Sequence, residues 1–210
     1  MLTGYRRCWI RAKVDLGRRR LCKRPPASPS KALDDARDRQ RRSVTVEKIG
    51  FGGGCHWCTE GVFQALRGVI QVDQGFIRSE PPSDPWAEGV VVKFDPAIIG
   101  LATLAEVHLR THSANGTYSP EGRYRSAIYI FEAEQRCEVA QTVARLAQER
   151  NEAARTLVLP FAGFKPSDAR YHNYYSTDPN RPFCRRYIDP KLDYIRNNFA
   201  NIMLPDLAGQ

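Results

Sequence analysis

The chain has 210 residues and a formal charge of +9, enough for one domain with a sizeable core and short for two. That charge sits at one end: residues 1–43 hold 14 Lys or Arg against 4 acids, and the remainder 18 against 19. The body therefore gives no electrostatic reason to expect nucleic acid as a partner.

Residues 1–43 read as a basic, disordered N-terminal extension with a Pro/Ser stretch at 25–30. No apolar run there is long enough for a signal peptide or a membrane span. A solvated extension or an upstream start is the plain reading; a presequence or a nucleic-acid arm is the sharper one. The domain is expected over 44–210. "VTVEKIGF" (44–51) alternates as a strand and runs into glycine. From Cys55 the period changes, and Val62, Phe63 and Leu66 mark a helix that stops at Gly68. Strands follow at 69–76 and 89–95, then a helix at 101–112 with Leu101, Leu104, Ala105 and Leu109 on one face. A fourth strand is predicted at 124–131 and a long helix at 132–150, with Cys137, Ala140, Val143 and Ala147 as its apolar stripe. A short strand at 156–161 completes the regular part. Strand, helix, strand, strand, helix, strand predicts an α+β fold, a ferredoxin-like split βαβ plait with a mixed or antiparallel sheet. The aromatic, turn-rich segment "RYHNYYSTDPNRPFCRRYIDPKL" is expected to wrap back irregularly onto it.

Cysteines at 8, 22, 55, 58, 137 and 184 are too unevenly spaced for a secreted disulfide framework. They point to a reducing, cytoplasmic setting. "GFGGGCHWC" places Cys55 after a glycine run and at a helix start, where unpaired N–H groups and the positive helix end favour a thiolate. Cys58, one turn on, is either a partner for an oxidised Cys55 or a small buried apolar residue. Glu60 has a plain role as an acid near the helix start, and His56 reads as an acid or base or as a surface side chain. Trp57 and Cys137 read as core, and His108 and His112 as satisfied structural residues. A zinc site from Cys55, His56, Cys58 and either His172 or Cys184 lacks the usual paired spacing. A c-type haem is excluded because the His follows the first Cys, and a phosphate-binding loop because no Lys-Ser/Thr follows the glycines. No cofactor is expected.

"FGGGCHWCTEGVF" resembles the GCFWCTE signature of the A-type peptide methionine sulfoxide reductases. In the family's order, "AEGVVVKFDP" (87–96), "YRSAIY" (124–129), "YHNYY" (171–175) and "PFC…IDPKL" are similar to its further motifs, so the resemblance spans about residues 45–199. It implies the plait fold and the reduction of methionine-S-sulfoxide, free or in peptides and proteins. Cys55 would attack the sulfoxide sulfur and become a sulfenic acid, Cys58 or Cys184 would resolve it, and thioredoxin would restore the thiols. Glu88 falls on the family's acid, Tyr124 on a tyrosine bonded to the sulfoxide oxygen, and Trp57 on an apolar wall for the substrate methyl. His56, Phe76 and His172 take substrate-binding positions. The sequence departs from the family where Phe is His56, Tyr is Phe76, His is Trp86 and Gln is Arg123. An acid expected before the Tyr124 motif has Ser119 or Glu121 nearest. A thiol enzyme or oxidant sensor on the same scaffold, and a non-catalytic or zinc-stabilised binding module, are the other readings.

Overall fold

β1 (Glu47–Gly52) alternates Ile49 and Phe51, both fully buried, with residues on the opposite face. The computed structural model describes residues 45–112 and 122–205. The expectations for residues 1–43, and for Ser119 and Glu121, lie outside these. α1 (His56–Gln64) follows the glycines and buries Val62 and Phe63; Phe63 stacks on Phe51 with ring centroids 4.5 Å apart. Truncating either ring to alanine is expected to cost about 3–5 kcal/mol. β2 (Val69–Arg78), β3 (Ala87–Phe94), α2 (Leu101–Thr111), β4 (Ala127–Ile130), α3 (Gln135–Glu149) and β5 (Leu157–Pro160) come in the expected order. β6 (Gly163–Pro166) was not expected.

The six strands form one sheet in the order β5-β4-β1-β3-β2-β6. β4 and β5 run parallel and every other neighbouring pair is antiparallel. The sheet is mixed and the fold is α+β. Alternation sorts the side chains by face. Ile49, Phe51, Val90, Val92, Phe94, Ile128 and Ile130 meet the helices in the main core. Ile77, Val91, Ala127 and Tyr129 form a smaller layer on the other face, closed by Phe131, Phe161 and Phe164.

α3 is turned from its expected register. It buries Gln135, Val139, Thr142, Val143 and Leu146, while Cys137 is exposed. Its first turn sets this orientation: the Gln135 side chain accepts from the N–H groups of Phe131 and Glu132 and donates to the Lys48 carbonyl. The longer Val139 and Leu146 then enter the core in place of Cys137 and Ala140.

The C-terminal segment does return to the domain. The buried Glu60 carboxylate accepts the N–H groups of Asn173 and Tyr174, at 2.8 and 3.0 Å, just before the short α4 (Tyr174–Thr177). Part of the segment is regular: a π-helical turn at Cys184–Ile188 leads into α5 (Asp189–Asn198), which has Pro190 in its first turn and buries Leu192 and Ile195. The Leu204 N–H then closes on the Ala65 carbonyl at 2.9 Å.

Candidate active site

The site begins where β1 ends. Gly53 and Gly54 have φ of +141° and +114°, and a Cβ on Gly53 would lie 2.4 Å from the His112 ring. Only glycine makes this turn at low cost, and it delivers Cys55 to the cap of α1. The Cys55 carbonyl accepts from the N–H groups of Cys58 and Thr59, leaving its sulfur facing the open first turn.

The Cys55 thiol titrates below the ordinary range for cysteine. The largest cause is a hydrogen bond from the Cys58 thiol; the backbone N–H groups of Trp57 and Cys58 act in the same sense. Burial and the negative charge of Glu88 oppose them. The Cys58 thiol moves the other way, held protonated by its bond to Cys55 and by burial. The two thiols are thus driven apart: Cys55 is the one more readily ionised and Cys58 the one that keeps its proton.

On one side of this pair stands Glu88, near the start of β3 and 3 % exposed. One carboxylate oxygen accepts the His56 backbone N–H at 3.2 Å and the other is paired with the Arg123 guanidinium at 2.6 Å. The Arg123 carbonyl in turn accepts the Glu88 N–H at 2.7 Å. The Glu88 carboxylate is thus fastened to the residue that follows Cys55. Tyr124, 38 % exposed, adjoins this clasp, with the Arg123 guanidinium 5.7 Å from its ring. The next residue, Arg125, is fully buried; its side chain donates to the carbonyls of Ser83 and Pro85, both at 2.8 Å. Sequence reasoning did not single out Arg125, although an arginine between a tyrosine and a short strand was its signal. It holds the 79–86 loop beside the site.

The remaining expected residues divide. The His56 ring is buried rather than on the surface; its Nδ1 bonds the Gly75 carbonyl at 2.9 Å, and Phe76 meets it edge-on at 5.7 Å. Phe76 lies opposite Glu88 in the β2–β3 register. These two residues stand together with the acid. Trp57 is stacked on Tyr174 at 4.3 Å and 5°, with Phe183 edge-on at 5.5 Å. His172 bonds the Ser167 carbonyl and lines a different cleft, with Glu60, Gln64 and Asn173. Cys184 is fully buried within the π-helical turn, near enough to Cys58 for their charges to interact, and burial pushes its thiol up.

On the other side of Cys55 is a cavity of about 240 Å³ lined by Cys55, Cys58, His108, His112, Phe183 and Lys191, among others. His108 bonds the Gly52 carbonyl at 3.1 Å, and His112 bonds Ser126 Oγ at 2.8 Å. Their rings stack 4.1 Å apart. Burial lowers both, His112 to about 4, so they line the cavity as neutral rings at neutral pH. Lys191 donates to the Thr111 carbonyl at the end of α2. Burial lowers its ammonium, while the charges of Cys58 and Cys55 favour it. Sequence reasoning had passed over Lys191, which stands in the "IDPKL" stretch. Among the described residues, no group of three or more His, Cys, Asp or Glu is placed to hold a metal ion. No helix among them is long and apolar enough to cross a membrane.

A cysteine at a helix cap, a second thiol three residues on and a buried carboxylate thus meet at one turn. The family model for peptide methionine sulfoxide reductase matches residues 47–202. The chain belongs to the peptide methionine sulfoxide reductase family. It is 33 % identical over 170 residues to the peptide methionine sulfoxide reductase MsrA of Thermus thermophilus, covering 74 % of this chain and 96 % of that one. The MsrA of Sulfolobus acidocaldarius is 28 % identical, with 74 % and 97 % covered. Reduced Mxr1 from Saccharomyces cerevisiae shares the fold with a TM-score of 0.59 at 18 % identity, covering 69 % of this chain and 92 % of that one.

Proposed function

We propose that this reductase converts methionine-S-sulfoxide to methionine with Cys55 as the nucleophile. The Cys55 thiolate attacks the sulfoxide sulfur while Glu88, having taken up a proton from solvent, delivers it to the oxygen. The oxygen passes to Cys55 as a sulfenic acid and the thioether leaves, so the substrate gains two electrons and Cys55 loses two. The Cys58 thiol then attacks the sulfenic sulfur, water departs and a Cys55–Cys58 disulfide forms. A dithiol of the thioredoxin class reduces that disulfide. The hydrogen bond from the Cys58 thiol to Cys55 carries this reading, because it both lowers the nucleophile and places the resolving sulfur against it.

In this reading Tyr124 faces the sulfoxide oxygen, and Trp57, held flat by Tyr174, supplies an apolar wall for the methyl. His56 and Phe76 shape the floor beneath the acid, and His172 belongs to the outer rim. Cys184 is a second-stage resolving thiol, reached by exchange through Cys58. Strand order β4-β1-β3-β2, with α1 and α2 as the crossovers, supports the ferredoxin-like plait. The domain is assigned to 44–210, with 1–43 an extension.

The test is a blocked methionine-S-sulfoxide peptide with thioredoxin or dithiothreitol. Methionine formation that disappears in Cys55→Ser is the expected result. Normal alkylation of Cys55 without turnover would replace the reductase with an oxidant sensor.

A further inference from the structure

The helix-bearing face of the sheet continues past the start of α1, and there it is uncovered. Phe76 and Glu88 are paired across β2 and β3, and Lys165 of β6 is paired with Phe76. Two residues outward along the same face come Arg78 and Trp86. The Arg78 guanidinium lies over the Trp86 ring, 4.9 Å from its centroid, and the Lys165 ammonium is 5.9 Å from that of Phe76. Trp86 is 40 % exposed, and Arg78 and Lys165 are exposed too. Neither cation forms an ion pair with a carboxylate among the described residues. Of the acids near them in sequence, Glu80 and Asp84 sit exposed on the 79–86 loop, and the exposed Asp168 is paired with Arg170.

We propose that this aromatic ledge docks an acidic peptide segment flanking the oxidised methionine. The inference rests on the reductase reading and names its substrate class. Phe76 ties the ledge to the reacting centre, since it touches His56 on one side and stands opposite Glu88 on the other. Trp86 lies two residues from Glu88, about 7 Å along an extended strand. A bound peptide advances about 3.3 Å per residue, so carboxylates one to three residues from the methionine reach Arg78 and Lys165. Rings hold both cations against the sheet, which reduces the side-chain ordering that binding would cost. Arg123 adds no net charge, being already paired with Glu88.

The experiment compares kcat/KM for three blocked five-residue peptides with a central methionine-S-sulfoxide flanked by glutamates, serines or lysines. The glutamate peptide should exceed the serine peptide about fivefold at low salt, the size two exposed charge pairs allow, and the lysine peptide should fall below both. The ratio should shrink towards one at 0.5 M salt, a measurement that needs no variant. In Arg78→Ser/Lys165→Ser it should approach one at low salt as well. Equal turnover of the three peptides by the unmodified protein would overturn the ledge alone. Absence of turnover for all three, with Cys55 still alkylated, would overturn the reductase reading instead.

Discussion

The two sides of the Cys55 sulfur differ in kind. Towards Glu88 the groups are charged, and one of them reaches solvent: a carboxylate 3 % exposed is clasped by an arginine side chain 65 % exposed. Towards α2 and α5 they are enclosed: two stacked imidazoles kept neutral by burial, and one lysine drawn onto a helix-end carbonyl. Glu88 works against the thiolate, whereas Lys191 on the enclosed side favours the anionic form of Cys58. One side is suited to handling the substrate's oxygen and the other to holding negative sulfur. The Cys55 sulfur sits at the boundary because the glycine turn and the start of α1 place it there.

The largest effect should come from the sulfur itself: Cys55→Ser is expected to lower sulfoxide turnover at least about a thousandfold. A variant with substantial activity would move the chemistry to another thiol. Next, Glu88→Gln tests whether the charged side is the proton donor. Loss of a general acid predicts a fall in kcat of about a hundredfold, and a change below threefold would leave Glu88 a purely structural clasp.

The enclosed side should show itself in stability. His112 titrates near 4 in the folded chain against about 6.5 unfolded. Below pH 6.5 the unfolded chain therefore binds a proton that the native state refuses. Stability should fall as pH drops from about 6.5 to 4, by about 2 kcal/mol for a partly exposed ring. Urea unfolding at the two pH values measures this, and His112→Gln should remove that part of the slope.

Smaller effects sharpen the comparison. Cys58→Ala removes the thiol donor, so the Cys55 pKa should rise and its alkylation at pH 7 should slow about tenfold. Cys58→Ser, which keeps a donor, should slow it less. Lys191→Met should slow the same alkylation about threefold at low salt, and the difference should fade at high salt.

The placing of Cys55 at a helix start was legible because its causes are local. Glycines, a cysteine and an apolar helical stripe are contiguous, and the turn that delivers Cys55 to the start of α1 follows from the backbone they build. The strand–helix order was legible for a similar reason, since alternation and helical period persist over several residues. β6 is four residues long and gains its bonds only by pairing with the edge of β2, so no period announced it. α5 was hidden among aromatic residues and turns. The orientation of α3 depended on one glutamine bonding a carbonyl 87 positions away, and Cys137 was misplaced as a result.

The sequence by itself determined that a cysteine stands at a helix start after glycine, that another thiol lies one turn on, and that alternating strands and amphipathic helices share one core. These are short-range consequences of backbone freedom and periodicity. Only the tertiary structure decided what surrounds the sulfur. It brought Glu88 and Arg123 together from 35 residues apart, turned His56 inward onto β2, buried Cys184 and carried Lys191 onto the end of α2. Burial, ion pairing and thiol basicity depend on distance in space, and sequence spacing does not encode that distance.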